Sequence, residues 1–129
     1  MFKSAGNGRS TKAIGDAAEA RALAHLQAQG LQLVQRNYRV AGGPHARGAE
    51  VDLILREADG TLVFVEVRAR AGAVHGGALA SVGPTKQQRI VRGAQHFLLR
   101  WPTLPPCRFD VVAVEGERIH WVKAAFDAA

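Results

Sequence analysis

Glu50-Val51-Asp52-Leu53-Ile54-Leu55-Arg56 and Thr61-Leu62-Val63-Phe64-Val65-Glu66-Val67-Arg68 are two strand-like runs separated by Glu57-Ala58-Asp59-Gly60. β-Branched and aromatic residues bounded by turn formers predict a hairpin. A three-residue loop with glycine in the last, left-handed position suits Ala58-Asp59-Gly60 and sets Glu57 opposite Thr61. Counting back from that closure, Leu55 faces Val63, Leu53 faces Val65 and Asp52 faces Glu66. Strand side chains alternate, so Val51, Leu53, Leu55, Val63, Val65 and Val67 are expected on one aliphatic face. Glu50, Asp52 and Ile54 then share the other face with Phe64, Glu66 and Arg68.

Two carboxylates placed opposite each other on paired strands repel. At ~5 Å and an effective dielectric of ~20 the cost is roughly 3 kcal/mol, large against a domain stability of ~5–15 kcal/mol. A divalent cation between Asp52 and Glu66 would turn repulsion into coordination, and oxygen ligands of this kind suit Mg2+ or Mn2+. The plainer alternative makes both residues solvated charges on a wet sheet face, with Arg56 and Arg68 as cross-strand partners.

Outward from the hairpin the chain alternates helix and strand. Residues 1–11 offer nothing to bury and are expected to be disordered, leaving 12–129 as a single domain. Thr11 is a candidate cap for an alanine-rich helix ending near Gln29, with Gly30 as its stop. Residues 31–40 read as a strand and 41–48 as a loop. Residues 69–83 read as a second, Gly- and Ala-rich loop. Pro84 suits the first turn of a helix to Leu99, with Ile90, Ala94, Phe97 and Leu98 as its buried stripe and Lys86 on the same side. Trp101 to Pro106 must break it. Arg108–Val114 and Arg118–Val122 form a last hairpin, turning at Glu115-Gly116-Glu117. The expected fold is α/β, a central mixed β-sheet of about four or five strands flanked by α-helices.

Composition narrows the partners. The 129 residues hold 17 Lys plus Arg against 11 Asp plus Glu, a net charge of +6 that favours polyanions. From Val67 through Phe109 there are basic residues but no Asp or Glu, so this half is expected to present a phosphate-facing surface, with Arg70, Arg89 and Arg92 as contacts. Cys107 is the only cysteine, which excludes an intrachain disulfide and a Cys-rich zinc site. His25, His45, His75, His96 and His120 are scattered without metal-ligand spacing. Tyr38 and the two tryptophans read as core or rim aromatics rather than base-stacking platforms. No run reaches the ~18 apolar residues of a membrane span, and the polar N-terminus has no signal-peptide core, so a cytoplasmic location is expected.

The hairpin resembles the PD-(D/E)XK signature of restriction-endonuclease-like nucleases. A whole series of motifs is similar to the YraN family of small bacterial predicted endonucleases, themselves distantly similar to archaeal Holliday junction resolvases. Those motifs are Gly15-Asp16-Ala17-Ala18-Glu19, Arg36-Asn37-Tyr38-Arg39, Glu50-Val51-Asp52-Leu53-Ile54, Phe64-Val65-Glu66-Val67-Arg68, Lys86-Gln87, Arg108-Phe109-Asp110-Val111 and Ala124-Ala125-Phe126. The resemblance covers residues 12–126. It implies a restriction-endonuclease-like domain and a Mg2+- or Mn2+-dependent nuclease acting on DNA, including branched DNA. Asp52, Glu66 and the Val67 carbonyl would be metal ligands, with Glu19 approaching from the first helix. Glu19 lies one turn before Leu23 and two before Leu26, which independently places it on the packed side. Glu50 either completes the ligand set or pairs with Arg68.

Two positions depart from the signature: Val51 replaces its proline, and Arg68 stands where lysine is usual. Guanidinium stays protonated and cannot act as a general base, though it can stabilise phosphate charge. Lys86 is then either the substitute amine or a snorkelling surface lysine. The competing function is a nucleic-acid-binding protein with a degenerate nuclease site. Symmetric cutting of two strands would favour a homodimer.

Overall fold

The computed structural model of the chain describes residues 10–44, 48–70, with Arg70 by its backbone only, and 81–128. The expectations for residues 1–9, His45, His75 and most of the second loop lie outside these. The described elements run α1 (Thr11–Ala28), β1 (Gln32–Val40), β2 (Ala49–Arg56), β3 (Leu62–Arg70), α2 (Pro84–Leu98), β4 (Cys107–Glu115) and β5 (Arg118–Phe126). The strands form one sheet in the order β1-β2-β3-β4-β5, parallel at β3/β4 and antiparallel elsewhere. The fold is α/β, a mixed five-stranded sheet with one helix against each face.

The β2/β3 register is the one the turn dictates. Leu53 pairs with Val65 and Leu55 with Val63, while Gly60 at φ 95° takes the left-handed position of the loop. Leu53, Leu55, Val63 and Val65 pack with Ala18, Ala22, Leu23 and Leu26 of α1. Each of these fully buried strand side chains contributes about 1.5–3 kcal/mol. Ile54, Leu62 and Phe64 point the other way, against Ile90, Ala94 and Phe97 of α2. Glu66 shares this side and is itself 2% exposed, which removes the reading of a wet sheet face.

Val51 corrects the expected aliphatic face. It packs on the α2 side, where Gly93 admits it so closely that a Cβ there would lie 3.1 Å from its methyl. The alternation breaks at Asp52, and the paired strand breaks beside it: Arg36 pairs with Leu53 and Tyr38 with Val51, with Asn37 between them at φ 50°. Asparagine tolerates this left-handed backbone better than most residues. Both strands therefore switch faces at one level, and Tyr38 enters the α2-side core, bonded to His96.

The helix ends differ slightly from expectation. Ser10 caps α1 by accepting from the Ala13 N–H, so Thr11 is the first helical residue. In α2 the buried stripe is Ile90, Val91, Gly93, Ala94 and Phe97, with Leu98 at its margin.

The closing hairpin is longer than expected because a buried carboxylate pins it. Asp110 is fully buried and accepts from Arg108 Nε at 3.0 Å, Trp121 Nε1 at 2.9 Å and the Ala124 N–H at 2.9 Å. The last bond spans a bulge where Phe109 pairs with Phe126 and Val111 with Val122. Asp110→Ala would leave Arg108 Nε, Trp121 Nε1 and the Ala124 N–H without their acceptor while Glu57 keeps its pairing with the guanidinium, so urea unfolding should report a loss of about 3–5 kcal/mol. A loss under ~1 kcal/mol would mean that the network is idle.

Candidate metal centre

Pairing of β2 with β3 runs from Arg56/Leu62 to Leu53/Val65. One step further, the Val67 N–H donates at 2.8 Å to Asp52 Oδ2. A side chain thus fills an acceptor position in the hairpin and is fixed in orientation by it. The carboxyl of Glu66 is a near neighbour of Asp52, whose charge acts on it. Burial, and then the Asp52 charge, push the Glu66 pKa up to about 8. In the cation-free protein at neutral pH, Glu66 therefore favours its protonated form.

Glu19 arrives from α1 beside Asp52. Burial and the Asp52 charge raise its pKa, partly offset by Arg36 and by a hydrogen bond from Asn37. The two cations nearest in sequence do not serve it: Lys12 pairs with Asp16 at 2.8 Å, and Arg21 reaches the Gly116 carbonyl. Glu19 Oε1 and Glu66 Oε1 are both buried without a hydrogen-bond partner.

Cations line the other side of Glu66. Lys86 Nζ stands 3.6 Å from Glu66 Oε2 and 3.6 Å from Glu50 Oε1. Lys86 thus points into the site, as its place on the helix stripe predicts. Arg68 Nη1 lies 3.4 Å from Glu66 Oε2, while its Nε and Nη2 donate to the hydroxyl and carbonyl of Ser81. Its guanidinium is thereby fixed against the segment entering α2. Glu50 does not pair with Arg68; it faces Arg39 at 3.7 Å, Lys86, and Arg89 at 3.6 Å.

Among the described residues no group of three or more His, Cys, Asp or Glu is gathered closely enough to hold a metal ion. The donor set is a carboxylate pair with one further acid behind it. Mg2+ keeps several waters and is commonly held by only one or two carboxylates, so the pair fits such an ion. The two partnerless oxygens are what a cation with its waters would satisfy.

The expected phosphate-facing surface divides. Arg89 joins the site, its Nε anchored on the Gly48 carbonyl at 3.2 Å. Arg92 is exposed in a separate groove with Gln88 and Asp127. The side chain of Arg70 lies outside the described residues. Arg108 is turned inward to Glu57 and Asp110, and Arg100 stacks 4.4 Å from the centre of the Phe97 ring. Sequence reasoning assigned no role to Arg39 or to Asn37. The Arg36-Asn37-Tyr38-Arg39 motif carried that signal, since a kinked edge strand is what turns these side chains toward Glu50 and Glu19. Among the described residues no helix is long and apolar enough to cross a membrane.

Comparison with known proteins gives the lineage. A UPF0102 protein from Methylibium petroleiphilum is 66% identical over 119 residues, covering 92% of this chain and 98% of the relative. One from Acidovorax sp. is 62% identical, covering 94% and 89%. The solved structure of SSO0001 aligns with TM-score 0.46 and 13% identity over 92% of this chain, and this chain spans about half, 54%, of its length. Residues 18–114 match the family described as "Uncharacterised protein family UPF0102". With both the family match and the near-full-length relatives in agreement, the chain belongs to the UPF0102 family, the YraN family of its motifs.

Proposed function

We propose that this protein is a Mg2+- or Mn2+-dependent nuclease that hydrolyses phosphodiester bonds in DNA. The observation that carries the reading is the pair of buried, partnerless carboxylate oxygens, Glu19 Oε1 and Glu66 Oε1, on either side of an Asp52 whose charge raises both pKa values. A cation-free protein leaves this cluster strained. Asp52, Glu66 and the Val67 carbonyl would hold the ion. When bound, it would polarise a phosphoryl oxygen and supply hydroxide from water. The Val67 N–H keeps the Asp52 carboxylate aimed, Lys86 offers three N–H donors beside Glu66, and Arg68 lends positive charge without acting as a base.

Branched DNA as the preferred substrate rests on the similarity to junction resolvases. A twofold dimer is the assembly that symmetric cutting would use. A reduced cytoplasmic setting suits the single, exposed Cys107.

The second reading, a DNA-binding protein without turnover, is favoured by one feature, the commitment of Arg68 to Ser81 at the motif's lysine position. Pure protein incubated with labelled linear, single-stranded and four-way DNA, in Mg2+, Mn2+ or chelator, separates the two. Metal-dependent cleavage of at least one form is expected. Binding without cleavage under every metal would leave the binding module.

A further inference from the structure

We propose that Arg39, Lys86 and Arg89 form a site for a DNA backbone phosphate beside the carboxylate pair, and that Glu50 is the internal anion that fills it when no DNA is bound. The inference rests on the nuclease reading and assigns its phosphate contact. Three cations converge on Glu50 at 3.6–3.7 Å, each beyond ordinary hydrogen-bond distance. One carboxylate offsets only part of that charge, and the second acid in reach, Glu66, touches Lys86 alone of the three. The cluster is therefore under-neutralised, and a phosphodiester has the charge and the acceptor oxygens to replace the Glu50 carboxylate.

The geometry is held by three elements and does not depend on flexible side chains alone. Arg39 and Glu50 are register partners across β1 and β2. Arg89 comes from α2, its Nε fixed on Gly48 O, and Gly48 is held so tightly that a Cβ would lie 2.7 Å from the Val40 carbonyl. Two surface grooves meet at this point. One runs past Glu19 and Asn37, the other past Gly48 and Arg89, and Arg39 and Glu50 line both. A strand following the two grooves would pass Glu19 and bring a phosphate onto Arg39 and Arg89, with Lys86 joining them at Glu50.

The assignment separates Glu50 from the metal ligands, and the two roles predict opposite signs. Fluorescence anisotropy with a labelled duplex in EDTA, from 50 to 200 mM salt, reads affinity without metal. Glu50→Gln should tighten binding about fivefold, since it removes the competing anion. Glu117→Gln makes the same charge change on the exposed β4–β5 turn and should move affinity less than twofold. Arg39→Ala, at an exposed position, should weaken binding several-fold and lower the salt slope by about 1. Should Glu50→Gln leave metal-free affinity unchanged or weaken it, in a protein whose wild type binds with steep salt dependence, the phosphate site is wrong and the nuclease reading stands. A wild type that binds no DNA form with or without Mn2+ overturns both. Circular dichroism of each variant confirms that affinities are compared between folded proteins.

Discussion

Asp52→Asn should abolish the response to Mn2+ and lower cleavage on the order of 10²–10³-fold, while leaving the cation-free protein at least as stable as the wild type. The asparagine oxygen can still accept the Val67 N–H that Asp52 takes at 2.8 Å, so the hairpin keeps its bond. What disappears is the charge that burdens Glu66 and Glu19. Such a trade, function lost and stability kept or gained, marks an acid retained for its chemistry.

The pH dependence gives the same argument a second readout. The Glu66 pKa is raised from 4.5 to about 8, first by burial and then by Asp52. A group with a raised folded-state value contributes stability that is full below about 4.5 and is lost as pH rises through about 8. Without metal, the melting temperature should fall across that window. Mn2+ should restore it most strongly at the alkaline end, where no proton has to be displaced. In Asp52→Asn the fall should be shallower, because the second cause is gone, and Mn2+ should have no effect. A wild type whose melting temperature is flat from pH 5 to 8 and indifferent to Mn2+ would show that the pair is an ordinary buried cluster.

The sequence was most legible where a short-range rule sets geometry. Gly60 closes the β2–β3 loop, and from that closure the pairings Leu53/Val65 and Leu55/Val63 follow by counting. The same count brings Glu66 to the level of Asp52, although the paired register ends at Leu53/Val65 and the Asp52 side chain takes the Val67 N–H instead. Alternation failed at Val51 because the left-handed Asn37 lies in the neighbouring strand and its effect on β2 cannot be counted from β2 itself. The last hairpin was read short for a similar reason: the Asp110 bond to Ala124 carries the chain through a bulge that interrupts the periodic pattern. The acid-free stretch was read as one surface, yet Arg108 is drawn inward by Glu57, an acid outside that stretch. Charges from β1, β2 and α2 meet at Glu50 only after the sheet has formed. Composition could count those cations without placing them.

On the proposed nuclease reading that placement favours Lys86 as the amine, and it makes Lys86→Ala the second large effect. Turnover should drop on the order of 10²–10⁴-fold, the usual contribution of a positioned proton donor or acceptor, with DNA affinity changed less than about tenfold. Lys86 Nζ stands 3.6 Å from the Glu66 carboxylate on a helix whose first turn is tied down by the bond from Gln87 Nε2 to the Val82 carbonyl at 2.9 Å. Arg68 lies nearer in sequence to Glu66, but its guanidinium is spread between Glu66 and Ser81. Arg68→Lys would give up the bonds to Ser81 and loosen the entry to α2, so it should not raise cleavage. If the arginine instead blocks a site that once used lysine there, Arg68→Lys should speed cleavage and Lys86→Ala should matter little. Single-turnover assays with saturating protein separate these cases, because they read the chemical step apart from binding. Cleavage by Lys86→Ala at the wild-type rate would remove Lys86 from the chemistry and confine it to holding phosphate.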